Sequence, residues 1–183
     1  MRRTLRLAAV VALLVLLTAC SRGGDPGREV ASQGGRDMDP SSLGRCGDSI
    51  AADVGRGGGL DLSAAFPARV ARGGEGLIRG TVTVTNRDDT RFTALSAAEA
   101  DVYVTRSGRI VATPLDKDDR GLAVDLAPGA NRIIPATGRL RQCADDASLE
   151  PGTYEVYAAL SLSEGTEGRP LVVAGGPWPI QVT

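Results

Sequence analysis

Histidine is absent from the 183 residues, which removes Ser-His-Asp triads, His-ligated metal centres and imidazole proton transfer together. Lys117 is the single lysine, against twenty arginines, and it is the one remaining base that could activate a serine. It stands among Asp116, Asp118 and Asp119, a setting that suits a solvated ammonium and not a neutral amine. The string Asp116-Lys117-Asp118-Asp119-Arg120-Gly121 has the alternating carboxylates and the glycine of a calcium loop. Its fifth position is Arg120 and its twelfth is Ala127, where such a loop needs an oxygen ligand and a bidentate glutamate, so it reads as a polar loop. Only six aromatic residues occur, Phe66, Phe92, Tyr103, Tyr154, Tyr157 and Trp178, too few for base stacking or a sugar platform. The inventory therefore predicts no enzyme: no catalytic residue, no cofactor, no metal and no nucleic-acid partner.

The N-terminus speaks to address. Arg2, Arg3 and Arg6 precede an apolar run from Leu7 to Leu17, the pattern of a secretory signal. A membrane-spanning helix needs about 20 apolar residues, and this run is shorter. It ends on Leu17-Thr18-Ala19-Cys20, which resembles the lipobox of bacterial lipoproteins. The resemblance implies cleavage before Cys20, a diacylglyceryl thioether on its sulfur with further acylation such as palmitate, and residence on the extracytoplasmic face of the cell membrane. Each buried methylene contributes about 0.8 kcal/mol, and stable attachment takes two chains, which a diacylglyceryl group supplies. With Cys20 lipidated, Cys46 and Cys143 remain as an even pair in an exported chain, and the resemblance thus implies a disulfide between them.

Loss of residues 1–19 removes three arginines and takes the formal net charge from −1 to −4, which implies no basic face. The segment from Ser21 to Arg45 is Gly, Ser, Asp, Arg and Pro with isolated Val30, Met38 and Leu43, too little apolar surface to offset ordering. As a Gly-rich coil it would reach roughly 25 to 30 Å. The expected organisation is a signal helix at 1–19, a lipidated disordered tether at 20–46 and a folded domain at 47–183.

Beyond Asp48 the chain becomes short alternating segments separated by turn residues. Leu60, Leu62, Ala64 and Phe66 share one face and Pro67 ends the run. Ile78, Val82 and Val84 alternate with Thr81, Thr83 and Thr85 before the turn Asn86-Arg87-Asp88-Asp89. Phe92 to Leu95 is expected as a short edge strand. Val102 and Val104 lead through Ser107-Gly108 to Ile110, and Leu122, Val124 and Leu126 alternate again. Ile133, Ile134 and Leu140 are less regular, with Pro135 expected to bend or bulge the segment. Tyr154, Val156, Ala158, Leu160 and Leu162 predict a central strand, entered through Glu150-Pro151-Gly152-Thr153-Tyr154, which has the form of a tyrosine corner or of a simple Pro-Gly turn. Trp178, Ile180 and Val182 predict the last strand.

Seven to nine strands without a helix predict an all-β, immunoglobulin-like antiparallel sandwich. Thr81 to Asn86, Leu126-Ala127-Pro128-Gly129 and Leu149 to Tyr154 resemble the strand and turn pattern of two bacterial sandwich families, the CARDB module and the BsuPI proteinase-inhibitor domain. The resemblance bears on fold; an anchored domain of this kind without acid–base machinery is expected to be a noncatalytic binding or scaffolding module that contacts an envelope protein through sheet edges or loops. The second family implies an alternative, an inhibitor of exported proteases, with Arg87 to Arg91 or Arg106 to Arg109 offering an arginine to a trypsin-like pocket. The second family's inhibitory loop maps onto no residue of this chain.

Overall fold

A computed structural model describes residues 43–50, 59–72, 75–117, 121–163 and 170–183. The signal segment, Cys20, most of the tether, Gly73, Gly74, Asp118, Asp119 and Arg120 lie outside those residues. Every regular element among the described residues is a strand: β1 (Leu60–Ala65), β2 (Arg69–Val70), β3 (Leu77–Asn86), β4 (Phe92–Ala97), β5 (Asp101–Arg106), β6 (Arg109–Ala112), β7 (Gly121–Leu126), β8 (Asn131–Arg139), β9 (Gly152–Ser163) and β10 (Pro170–Val182).

The strands form two sheets. The smaller runs β1-β3-β8, antiparallel throughout. The larger runs β2-β10-β9-β4-β7, and β5 and β6 continue it beside β9. Alternation decides which faces meet: Leu60, Leu62, Ile78, Val82, Val84 and Ile134 of the small sheet interleave with Val102, Val124, Val156, Leu160 and Ile180 of the large one. Most of these side chains are fully buried, each contributing roughly 1.5 to 3 kcal/mol of transfer free energy. The approach is close enough to specify residue size. A Cβ on Gly138 of β8 would lie 2.5 Å from a methyl of Val102 on β5, so glycine is needed where the sheets converge. There the backbones also join, with Ala100 N–H donating to Pro135 O at 2.9 Å.

The central position expected for Tyr154 to Leu162 holds, since β9 has β10 on one side and β5 and β4 on the other. Two expectations are corrected. Phe92 to Leu95 belongs to β4, which is interior, paired with β7 and at Leu95 and Ser96 with β9. Pro135 neither bends nor bulges β8, whose register against β3 is continuous from Asn131 to Arg139. The proline is tolerated because β8 is an edge strand, so its missing N–H leaves no ladder bond unmade. On this same strand Ile133 points outward at 64% exposure, while Ile134 is buried.

A second, smaller apolar cluster lies on the opposite face of the large sheet. Tyr103, Ile110, Ala159 and Ala174 pack there with Tyr157 and Val172, covered by Leu43 and Ile50. Residues 43–50 therefore form a strap across that face, and Leu43 to Cys46, the expected end of the tether, are part of it.

Candidate functional site

Lys117 approaches the polypeptide where β4 gives way to β5. Its ammonium donates to Glu99 O at 3.3 Å, to Ala100 O, and to Asp101 Oδ1 at 2.8 Å. The Lys117 side chain is 17% exposed, so it is a partly buried cation seated among three oxygens. All three of its protons are engaged, which suits a clamp and not a proton-accepting base. Beside it is a cleft of about 550 Å³ whose walls include Arg79, Glu99, Asp116 and Thr137. Arg79 pairs with Glu75 at its rim. Of the calcium-like string Asp116, Lys117 and Gly121 are described: Lys117 turns to Asp101 and Gly121 opens β7, so they form no ligand set. Among the described residues no group of three His, Cys, Asp or Glu side chains is gathered to hold a metal ion.

The four arginines considered for a protease pocket all have partners in their own chain. Arg87 pairs with Asp61 at 3.0 Å, and Arg91 grips Asp125 through two bonds of 2.6 and 2.8 Å. That grip, first through the hydrogen bonds and then through charge, holds the Asp125 carboxyl below the usual carboxylate range. Arg106 lies 5.3 Å over the Tyr154 ring, and Arg109 donates to Gly47 O at 3.0 Å. Ser107 and Gly108 between them both have positive φ, 52° and 73°, the backbone of a tight two-residue hairpin.

Tyr154 makes the corner that its sequence context allows. Its hydroxyl donates to Glu150 O at 2.7 Å, across the Pro151-Gly152 turn that opens β9. Sequence reasoning missed the role of Asn86. Its amide donates to Thr90 O and Leu126 O, its carbonyl oxygen accepts from Asp88 N–H, and its backbone exchanges bonds with Gly129 and Ala130. The Asn-Arg-Asp-Asp turn signal marked the place, but nothing local in it pointed to Leu126, forty residues on.

Cys46 and Cys143 are bonded, with Cα atoms 5.8 Å apart. Cys46 is exposed and Cys143 half-buried. The bridge pins the strap near its middle to the body of the domain beside β6. Gly47 N–H donates to Ile110 O and Ile110 N–H to Asp48 O, both at 2.9 Å, while Cys143 N–H donates to Val111 O at 2.8 Å. The outer edge of β6 is thereby occupied. Elsewhere, Arg132 donates to Ala123 O on β7, and β2 is only two residues long, so these edges offer little open ladder to another strand.

No protein-family model matches the chain, and no curated protein matches it. Among solved structures, a β-glucosidase from Listeria innocua overlaps at TM-score 0.37 and 16% identity, over 67% of this chain and 16% of that one. The alkylpurine DNA glycosylase AlkC of Pseudomonas fluorescens, bound to DNA containing an abasic site analog, overlaps at TM-score 0.40 and 17% identity, over 69% of this chain and 31% of that one. The CARDB domain of the PF1109 protein from Pyrococcus furiosus, in complex with di-metal ions, overlaps at TM-score 0.36 and 14% identity, over 80% of this chain and 99% of that one. This chain thus spans about one sixth of the glucosidase. Likenesses of this size pass neither an activity nor a ligand to it, and the fold rests on the strand pairing described above.

Proposed function

We propose that the chain is a membrane-anchored lipoprotein of the cell envelope, held by acylated Cys20, whose immunoglobulin-like sandwich is a noncatalytic binding or scaffolding module for an envelope protein. The observation that carries the reading is the Cys46–Cys143 bridge. Such bonds persist in oxidising compartments outside the cytoplasm, and the bridge uses both cysteines of the domain, leaving Cys20 alone for lipid. The histidine-free inventory supports the absence of catalysis. The occupied β6 edge and the arginine on β7 disfavour docking at those two edges of the large sheet, which leaves loops, sheet faces and the small sheet's edges. The same geometry favours binding over protease inhibition, because an inhibitory arginine must be free to enter the protease, and Arg87, Arg91, Arg106 and Arg109 are engaged at home.

Metabolic labelling with a palmitate analogue tests the anchor. Label is expected on the parent chain and not on Cys20→Ala; equal labelling, or a native cytosolic chain that keeps residues 1–19, overturns the reading. Crosslinking in the intact envelope is expected to capture a defined protein, and titration against trypsin-like proteases is expected to give no inhibition at micromolar concentrations.

A further inference from the structure

The strap has an unusual balance of attachments. Its eight described residues, 43–50, set the half-buried Leu43 and Ile50 against the apolar cluster, and the buried Gly44 lies close over Ile110. Its other links are Leu43 N–H to Tyr103 Oη at 3.1 Å, the paired bonds of Gly47 and Asp48 with Ile110, and the exposed Arg109 bond to Gly47 O. Ordering eight backbone residues costs more than these few hydrogen bonds, one buried glycine and two partly buried side chains return. The strap therefore stays down because Cys46 is bonded to Cys143. Beneath it, Tyr103 and Ile110 are 2% and 1% exposed. The main core between the sheets contains no strap residue, so it does not depend on the strap for its packing.

The bridge is also reachable. Neither cysteine belongs to an apolar cluster, and Cys46 is on the surface. Exposed disulfides are the ones open to exchange, because attack needs a thiolate in line with an accessible sulfur. We propose that Cys46–Cys143 is a thiol–disulfide exchange site, served by a dithiol reductant, whose reduction releases the strap from the outer face of the large sheet. One thiolate of the reductant attacks Cys46 Sγ, and the electron pair of the bridge leaves on Cys143 Sγ, which takes up a proton. The reductant's second thiolate then attacks the mixed disulfide, expelling Cys46 as a thiolate that is protonated in turn. The reductant ends as a disulfide and the chain holds two thiols. Release frees the outer edge of β6 at Ile110 and uncovers Tyr103, while the two sheets stay packed. Lipid attachment and partner identity play no part in this inference.

The full-length chain in detergent micelles tests it, with and without dithiothreitol, alongside the Cys46→Ser/Cys143→Ser double variant. Cleavage by trypsin at Arg45, read by mass, and hydrogen exchange at the Gly47 and Ile110 amides report the strap. Near-ultraviolet dichroism of Trp178 reports the core. Reduction and the double variant should each speed strap cleavage and exchange by about tenfold or more while the Trp178 signal persists. Unchanged rates in either form overturn the proposal, as does a bridge that dithiothreitol leaves intact until denaturant is added. Loss of the Trp178 signal together with strap release overturns it too, because the bridge would then clamp the whole domain and not a strap.

Discussion

Tyr154 is a residue whose hydroxyl can be removed with little change in packing. Tyr154 is 2% exposed; its hydroxyl donates to Glu150 O at 2.7 Å and accepts a long bond from Arg106 Nη1 at 3.5 Å, so Tyr154→Phe removes both without opening a cavity. The expected loss is about 1 kcal/mol, seen as a lower denaturant midpoint at unchanged slope. An unchanged midpoint would mean that water replaces the hydroxyl at no cost. Asp125 gives a different kind of test. Arg91 holds its carboxyl below the usual range, so any stability from the pair is present above the unfolded carboxylate pKa and is lost as pH falls through the lower folded value. Both partners are exposed, so solvent screens the pair. Arg91→Ala should return the Asp125 carboxyl-carbon NMR titration to the ordinary range while the neutral-pH melting temperature stays nearly constant. A titration that does not move would assign the shift to something other than Arg91.

Elements were legible where one face is greasy and the other polar. The alternation in β3, β7 and β9 predicted both the strands and their buried sides, while the Pro-Gly entry to β9 left a tyrosine corner and a simple turn open, and the Tyr154 bond to Glu150 O decides for the corner. Pairing order was not legible, because it depends on contacts far apart in sequence: Phe92 to Leu95 gave no sign that β9 would lie beside it. The two residues of β2 are too few for any period, and Leu43 and Ile50 look like stray apolar residues among glycine and charge. Lys117 likewise read as a solvated loop residue because two of its three acceptors are backbone carbonyls, which a sequence does not distinguish, and the third, Asp101, is sixteen residues away. Lys117→Met should leave the Glu99 and Ala100 carbonyls without their donor and cost about 1 to 3 kcal/mol in thermal or denaturant unfolding. No change would show the ammonium to be only a surface charge. Gly138→Ala should cost a similar 1 to 3 kcal/mol by driving its methyl into Val102. Combining it with Val102→Ala should cost less than the two changes summed. Strict additivity would place the clash elsewhere.

At the scale of the molecule, the bridge closes a loop of 97 residues that contains β1 to β8, so it acts on the unfolded chain as much as on the folded one. A loop of about 100 residues corresponds to about 4.7 kcal/mol in the chain-entropy model, an upper figure for a bond whose folded surroundings also relax. Strap contacts and loop closure make separable contributions in an unfolding experiment. Loss of the strap alone changes the folded state, lowering the denaturant midpoint by an amount set by its few bonds and apolar contacts. Loss of the cross-link also lets the denatured ensemble expand, exposing more surface on unfolding and raising the slope of stability against denaturant. Cys46→Ser/Cys143→Ser should therefore lower the midpoint and steepen the slope together, by roughly 2 to 4 kcal/mol in extrapolated stability. Leu43→Ala should lower the midpoint slightly at constant slope, since the cross-link remains. If the double variant left the slope unchanged, the bridge would stabilise only through the folded contacts of the strap, and its wide span in the sequence would have no thermodynamic consequence.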